Sequence, residues 1–144
     1  MTYWHARPRT ASRDEREQLV QKLEPLLRAR EEVVFAYLHG SFITEEAFRD
    51  VDLALYVATM PGFDTSLRRY ELDIGVDCTA KIRMPIDVRV LNDAPVAFRY
   101  HVLKGRLLFT RDDEFLDEFR IRTWDEYCDF APFARRYLRE AIGE

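Results

Sequence analysis

Three aspartates, Asp50, Asp52 and Asp87, have the residue type and spacing to do chemistry. The first two open the apolar segment Asp50-Val51-Asp52-Leu53-Ala54-Leu55-Tyr56-Val57, which reads as a strand. Residues two apart on a strand share a face, so Asp50 and Asp52 project together while Val51, Leu53, Leu55 and Val57 go to the opposite, buried face. Carboxylates held side by side repel each other unless a cation lies between them, and hard oxygen ligands of this kind suit Mg²⁺. Upstream, Leu38-His39-Gly40-Ser41-Phe42 closes another apolar run. Strand, Gly-Ser and a short helix beginning near Thr44 make a turn that aims backbone N–H groups at an anion. Asp87 lies in a third segment, where Ile86, Val88 and Val90 alternate with Asp87, Arg89 and Leu91, and so presents a further carboxylate on a polar strand face. A phosphate cradle beside magnesium ligands is equipment for nucleotide chemistry.

Other groups stand near this set. Gly40 permits close backbone approach, and Ser41 can donate its hydroxyl and N–H to a β- or γ-phosphate oxygen. Arg49, immediately before the pair, and Arg89, on the Asp87 face, can contact phosphate or serve as ion-pair partners of the carboxylates. Tyr56 shares a face with Asp52 and either borders a nucleotide or packs within the sheet. His39 reads as packing at the strand end; His5 and His101 stand alone and read as structural or solvated. Cys78 and Cys128 lack the spacing of a zinc site and are expected to be reduced core thiols.

The elements that must position these residues follow from periodicity. Ser12 with Glu15 fits a capping box, and Leu19, Val20, Leu23, Leu26 and Leu27 repeat at helical spacing, predicting an amphipathic helix over Arg13 to Arg30, bent near Pro25. Val33 to Leu38 reads as a strand buried on both faces. Ala58 to Thr65, with Pro61 and Gly62, is expected to be a loop, followed by a helix from Ser66 toward Cys78 that contains Gly75. After the Asp87 strand come a helix over Ala97 to Lys104, a short strand Arg106 to Phe109, and a long helix that starts after Thr110-Arg111-Asp112-Asp113 and runs to Ile142 through Pro132. This long segment holds more aromatics than one core-facing stripe requires: Phe115, Phe119, Trp124, Tyr127, Phe130, Phe133 and Tyr137. They are expected either to bury against the sheet or to dock a partner.

With 144 residues the chain suits a single domain, comprising an extended segment over 1–10, the body, and a C-terminal helical segment over 112–142. Hydrophobic content of 47% and charged content of 33% describe a soluble globule, and a formal charge of −4 disfavours direct binding of a polynucleotide. No stretch approaches the roughly 20 apolar residues that span a bilayer, so no membrane association is expected and the chain is expected in the cytoplasm. Alternating strands and helices predict a mixed α+β fold: a small mixed sheet, helices mainly on one face, an open carboxylate face, and the long C-terminal helix.

The order strand, Gly40-Ser41, spacer, Asp50-Val51-Asp52 resembles the signature of the DNA polymerase β-like nucleotidyltransferase superfamily, and the small size resembles its minimal members, the MNT or MntA antitoxins. Eight residues separate Ser41 from Asp50, fewer than is common in that family. The resemblance implies that Asp50 and Asp52 are ligands of both metals, that Asp87 is the third ligand and a possible base, and that Gly40 and Ser41 hold the triphosphate. It also implies ATP as substrate and, as partner in a hetero-oligomer, a HEPN-domain ribonuclease toxin of the HepT type. The expected activity is transfer of AMP from ATP to a tyrosine hydroxyl of that toxin. Two other readings stand beside it: neutralisation of the toxin by binding alone, and nucleotidyl transfer to a small molecule such as an aminoglycoside. The absence of a second substrate domain disfavours the latter.

Overall fold

Two central strands, β2 (Val33–His39) and β4 (Val51–Val57), organise the molecule. In β2 every residue but Val34 is buried, as a run of apolar side chains between two covering layers requires. The computed structural model describes residues 7–58 and 66–141. Before β2 lie β1 (Arg9–Thr10) and α1 (Arg13–Arg28); between the central strands lie α2 (Ser41–Thr44) and β3 (Ala47–Phe48). After β4 come α3 (Leu67–Ile82), β5 (Ile86–Val90), α4 (Val96–Leu103), β6 (Arg106–Thr110) and α5 (Asp113–Ala141). The main sheet has the order β5-β4-β2-β6, with β2 antiparallel to β4 and β6, and β4 parallel to β5. This is the mixed α+β sheet expected from the pattern. No helix among the described residues is long and apolar enough to cross a membrane.

One face of the sheet carries Val51, Leu53, Leu55 and Val57 of β4 and Ile86, Val88 and Val90 of β5, packed with Leu19, Val20, Leu23 and Leu27 of α1 and Ile74 and Cys78 of α3. Each fully buried leucine there contributes about 1.5–3 kcal/mol. The other face is covered over β2 by α4 and the start of α5, where Phe35, Tyr37 and Ala54 meet Leu91, Val102, Leu116 and Phe119. Over β5 this second face is open, with the Asp87 and Arg89 side chains 50% and 59% exposed. Helices therefore cover both faces, not mainly one as expected, because α4 and the start of α5 bury Phe35 and Tyr37, and the open face is confined to this β5 portion.

Local chemistry sets the boundaries. The Ser12 hydroxyl accepts from the Glu15 amide at 3.1 Å while the Glu15 carboxylate accepts from the Ser12 amide at 2.9 Å, so the capping box starts α1 as read. Asp112 does the same for α5, accepting from the Phe115 amide at 3.0 Å. The short helix begins at Ser41, directly after Gly40, and not near Thr44, where it ends. Asp50 stands one residue before β4. Helix α3 continues past Cys78 to Ile82, and Gly75 explains why: it faces the edge of β5, where an added Cβ would lie 3.3 Å from the Ile86 carbonyl oxygen. Glycine here admits the helix against the strand and does not break it. Strands β1 and β3 pair with each other, which the sequence pattern did not reveal. Cys78 is buried in the core as expected, but Cys128 is exposed, since it lies on α5 beyond the turns that pack on the body. Most of the expected 58–65 loop, the first six residues of the N-terminal segment and the end of the last helix at Ile142 lie outside the described residues.

Candidate active site

Gly40 closes β2 with φ +78°, a conformation that side chains other than glycine's seldom adopt. Space adds to the requirement, since a Cβ built there would lie 2.1 Å from Asp52 Oδ2 and would push that carboxylate away. The Asp52 carboxylate therefore rests directly against the turn. The turn is tied by its own backbone: the amides of Ile43 and Thr44 donate to the Gly40 carbonyl at 3.0 and 3.2 Å, and the Thr44 hydroxyl donates to the same oxygen at 3.2 Å. Ser41, half-buried, is the first helical residue beyond it.

Strand register assembles the acids. Asp52 is opposite Asp87 in the parallel β4–β5 pair and opposite His39 in the antiparallel β2–β4 pair. Paired residues on neighbouring strands, about 4.8 Å apart, share a face, so His39, Asp52 and Asp87 form a row across three strands. Asp50 joins electrostatically. Burial, then the charge of Asp87, raise its pKa above the ordinary carboxylate range. Burial pushes Asp52 up to about 6, with Asp50 and Asp87 adding to the shift and the Arg89 guanidinium opposing it. The sequence-predicted carboxylates are thus brought into one coupled group. Among the described residues no three His, Cys, Asp or Glu side chains already stand at the spacing of a metal shell, and like charges that raise each other's pKa have reason to stand apart.

Arg89 Nε lies 4.0 Å from Asp87 Oδ2, which brings this arginine to the acids. Arg49 is exposed beside Asp50 and has no ion-pair partner among the described residues. Tyr56 belongs to the core and not to the site: it stacks on Phe35 at 5.6 Å and meets Phe115 and Phe119 at 4.8 and 5.5 Å. The side chain least anticipated is His39. It is 7% exposed, its ring meets Phe98 at 5.5 Å and His101 at 6.0 Å, and its Nε2 is buried without a hydrogen-bond partner among the described residues. Burial, and then the nearby His101 and Arg89, hold its pKa down at about 4, so the imidazole is neutral at pH 7. The signal for His39 is its register opposite Asp52, which becomes visible only once strands are paired.

A glycine-cornered turn, an acidic strand start beside it and a further aspartate on the adjoining strand define a nucleotidyltransferase class of site. The family model described as Polymerase beta, Nucleotidyltransferase matches residues 21–114, a span that holds Gly40, Ser41, Asp50, Asp52 and Asp87, and the chain belongs to that family. No curated protein matches the sequence. Among solved structures, the chain is similar to one from the complex of a tri-AMPylated Shewanella oneidensis HEPN toxin with MNT antitoxin, at 16% identity and a TM-score of 0.69, covering 88% of this chain and 98% of that one. A toxin–antitoxin structure with AMP-PNP gives 17% identity and a TM-score of 0.70 over 85% of this chain and 98% of that one. The MntA-HepT toxin–antitoxin structure gives 16% and 0.67 over 88% and 98%. At these identities the likeness is one of fold.

Proposed function

We propose that this chain is a Mg²⁺-dependent adenylyltransferase acting as an antitoxin, transferring AMP from ATP to a tyrosine hydroxyl of a HEPN-family toxin. The observation that carries the reading is the coupled set Asp50, Asp52 and Asp87 against the Gly40–Ser41 turn. Support comes from the family, and from fold likeness to chains solved with an AMPylated HEPN toxin and with AMP-PNP. The donor set fits magnesium: all ligands are carboxylate oxygens, and their mutual repulsion is what a divalent cation relieves. The chemistry supplied by Mg²⁺ when bound there is stabilisation of phosphoryl charge and activation of the attacking hydroxyl.

The chain's own residues would do the rest. Gly40, lacking a Cβ, lets phosphate approach the backbone, and Ser41 donates its hydroxyl and N–H to it. Arg49 and Arg89 supply positive charge beside the acids. Asp87, half-exposed on the open face, accepts the acceptor's proton at a carboxylate oxygen. A bond forms from the tyrosine oxygen to the α-phosphorus, the α–β phosphoanhydride bond breaks, and pyrophosphate leaves. Incubation with ATP, Mg²⁺ and the cognate toxin is expected to add AMP mass to a toxin tyrosine and to release pyrophosphate; wild type that neutralises the toxin with no mass change would overturn the reading. One observation favours the second reading, capture of the toxin by binding alone: Trp124, Phe133 and Tyr137 of α5 are 56%, 67% and 63% exposed, an apolar surface suited to a partner.

A further inference from the structure

Beside the carboxylate row lies a cleft of about 730 Å³ between α3 and the outer edge of β5. Its walls are aliphatic, with Leu72, Val76, Ala80, Met84 and Ile86 among them. Leu72 and Val76 are 60% and 70% exposed; among the described residues, every other large apolar side chain so open is on α5. The rim is cationic. Arg9, Arg68 and Arg83 have no ion-pair partner among the described residues, and Arg89 reaches only Asp87, at 4.0 Å. Against the carboxylates Glu71 and Asp87, these arginines leave the lining net positive in a chain of net charge −4.

The chemistry of the lining narrows the occupant. Among the described residues the lining is aliphatic and arginine-rich and holds no aromatic side chain, a composition suited to a peptide segment more than to a stacked nucleobase. The edge of β5 is a poor template for an added strand, because two of its outward amides are already engaged: the Ile86 amide donates to Thr79 Oγ1 at 3.0 Å and the Val90 amide to Glu71 Oε2 at 2.7 Å. An occupant must then be held through side chains, by apolar contact with the walls and carboxylates on the guanidinium groups. Asp87 is itself part of the lining, so whatever fills the cleft ends beside the candidate base.

We propose that this cleft takes an acidic, apolar segment of the acceptor protein, with carboxylates on Arg68 and Arg83 and an apolar side chain against Leu72 and Val76, presenting the hydroxyl at Asp87. The inference rests on the adenylyltransferase reading for the hydroxyl and stands apart from it for the binding. Fluorescence anisotropy with a labelled peptide of glutamate and leucine around one tyrosine tests the binding, with a lysine-for-glutamate peptide as comparison. The acidic peptide is expected to bind the intact chain and to lose about tenfold in affinity to Arg68→Glu, as removal and reversal of a charged contact does. Val76→Asp, also on the exposed surface, is expected to weaken it similarly, while calorimetric ATP affinity stays at its parent value in both variants. In the transfer assay the same variants are expected to raise KM for the toxin. Equal binding of the two peptides, or acidic-peptide binding untouched by either substitution, would overturn the cleft. Should the toxin gain no AMP while the peptides behave as stated, the transferase reading falls and the cleft remains; AMP transfer with unaltered KM and peptide affinity does the reverse.

Discussion

The strand ends around Asp52 and the distal half of α5 break the same rule in opposite directions. At the first, carboxylates are drawn into partial burial, where Asp52 reaches a pKa of about 6; at the second, aromatics that could fill a core stand in solvent. Within α5 the contrast is sharper still. Leu116, Phe119 and Thr123 of its first half are buried against β2 and α4, whereas Phe130, Phe133, Tyr137 and Leu138 of its second half are 39%, 67%, 63% and 59% exposed. A helix of about 1.5 Å rise per residue outruns the body that its first turns pack on. Local exceptions of both kinds cost stability, and they mark the places where something outside the chain supplies the missing interaction.

The largest expected effect breaks the acidic side of the comparison. Asp50→Ala or Asp52→Ala is expected to lower AMP transfer by about 10³-fold or more, as loss of preorganised charge stabilisation does elsewhere, with circular dichroism unchanged. Next, Phe119→Ala is expected to cost about 3–5 kcal/mol in denaturant unfolding, whereas Phe133→Ser, its counterpart beyond the body, should stay within about 0.5 kcal/mol. Equal losses would show that the distal half is packed after all. In a calorimetric titration with the cognate toxin, Phe133→Ser or Trp124→Ser is expected to weaken association by about 2 kcal/mol, near 30-fold.

The smallest effect has an unusual sign. The folded-state pKa of Asp52, about 6, lies above its unfolded value near 3.9, so the folded state binds the extra proton. Its contribution to stability therefore falls as pH rises from about 4 to about 6 and is level above that. His39 acts oppositely, since a pKa held at about 4 makes stability fall as pH drops below about 6.5. Asp52→Asn is thus expected to stabilise the metal-free protein at pH 7 by about 1 kcal/mol once solvent screening is allowed for, raising Tm by about 2–4 °C. Added Mg²⁺ should raise Tm of the parent and leave that variant unmoved. A variant that melts below its parent at pH 7 would show that Asp52 is not strained.

The acidic side of the comparison was legible in the sequence and the apolar side only half so. Asp50, Asp52 and Asp87 could be placed because period-two alternation assigns side chains to faces without knowledge of the partner strand. Gly40-Ser41 alone would fit many turns, and the Gly40 turn was legible only because an Asp-x-Asp strand follows it after a short connection. His39 and Arg89 could not be ranked, since their meaning comes from strand register and from what α4 lays over the face. Tyr56 had two open readings that periodicity could not separate, and the packing of Phe115 and Phe119 decided for the core. The aromatics of α5 repeat as if every turn met a core, so where the body stops beneath them depends on tertiary contacts.

Gly40 also has a genetic meaning. Every amino-acid change at its codon introduces a Cβ at a point 2.1 Å from Asp52 Oδ2, in a backbone conformation that side chains other than glycine's seldom adopt. One replacement there disturbs turn and acid together while leaving the surface of α5 untouched. If the proposed function holds, descendants of such a chain would need only one mutational step to lose transfer while keeping a surface for binding.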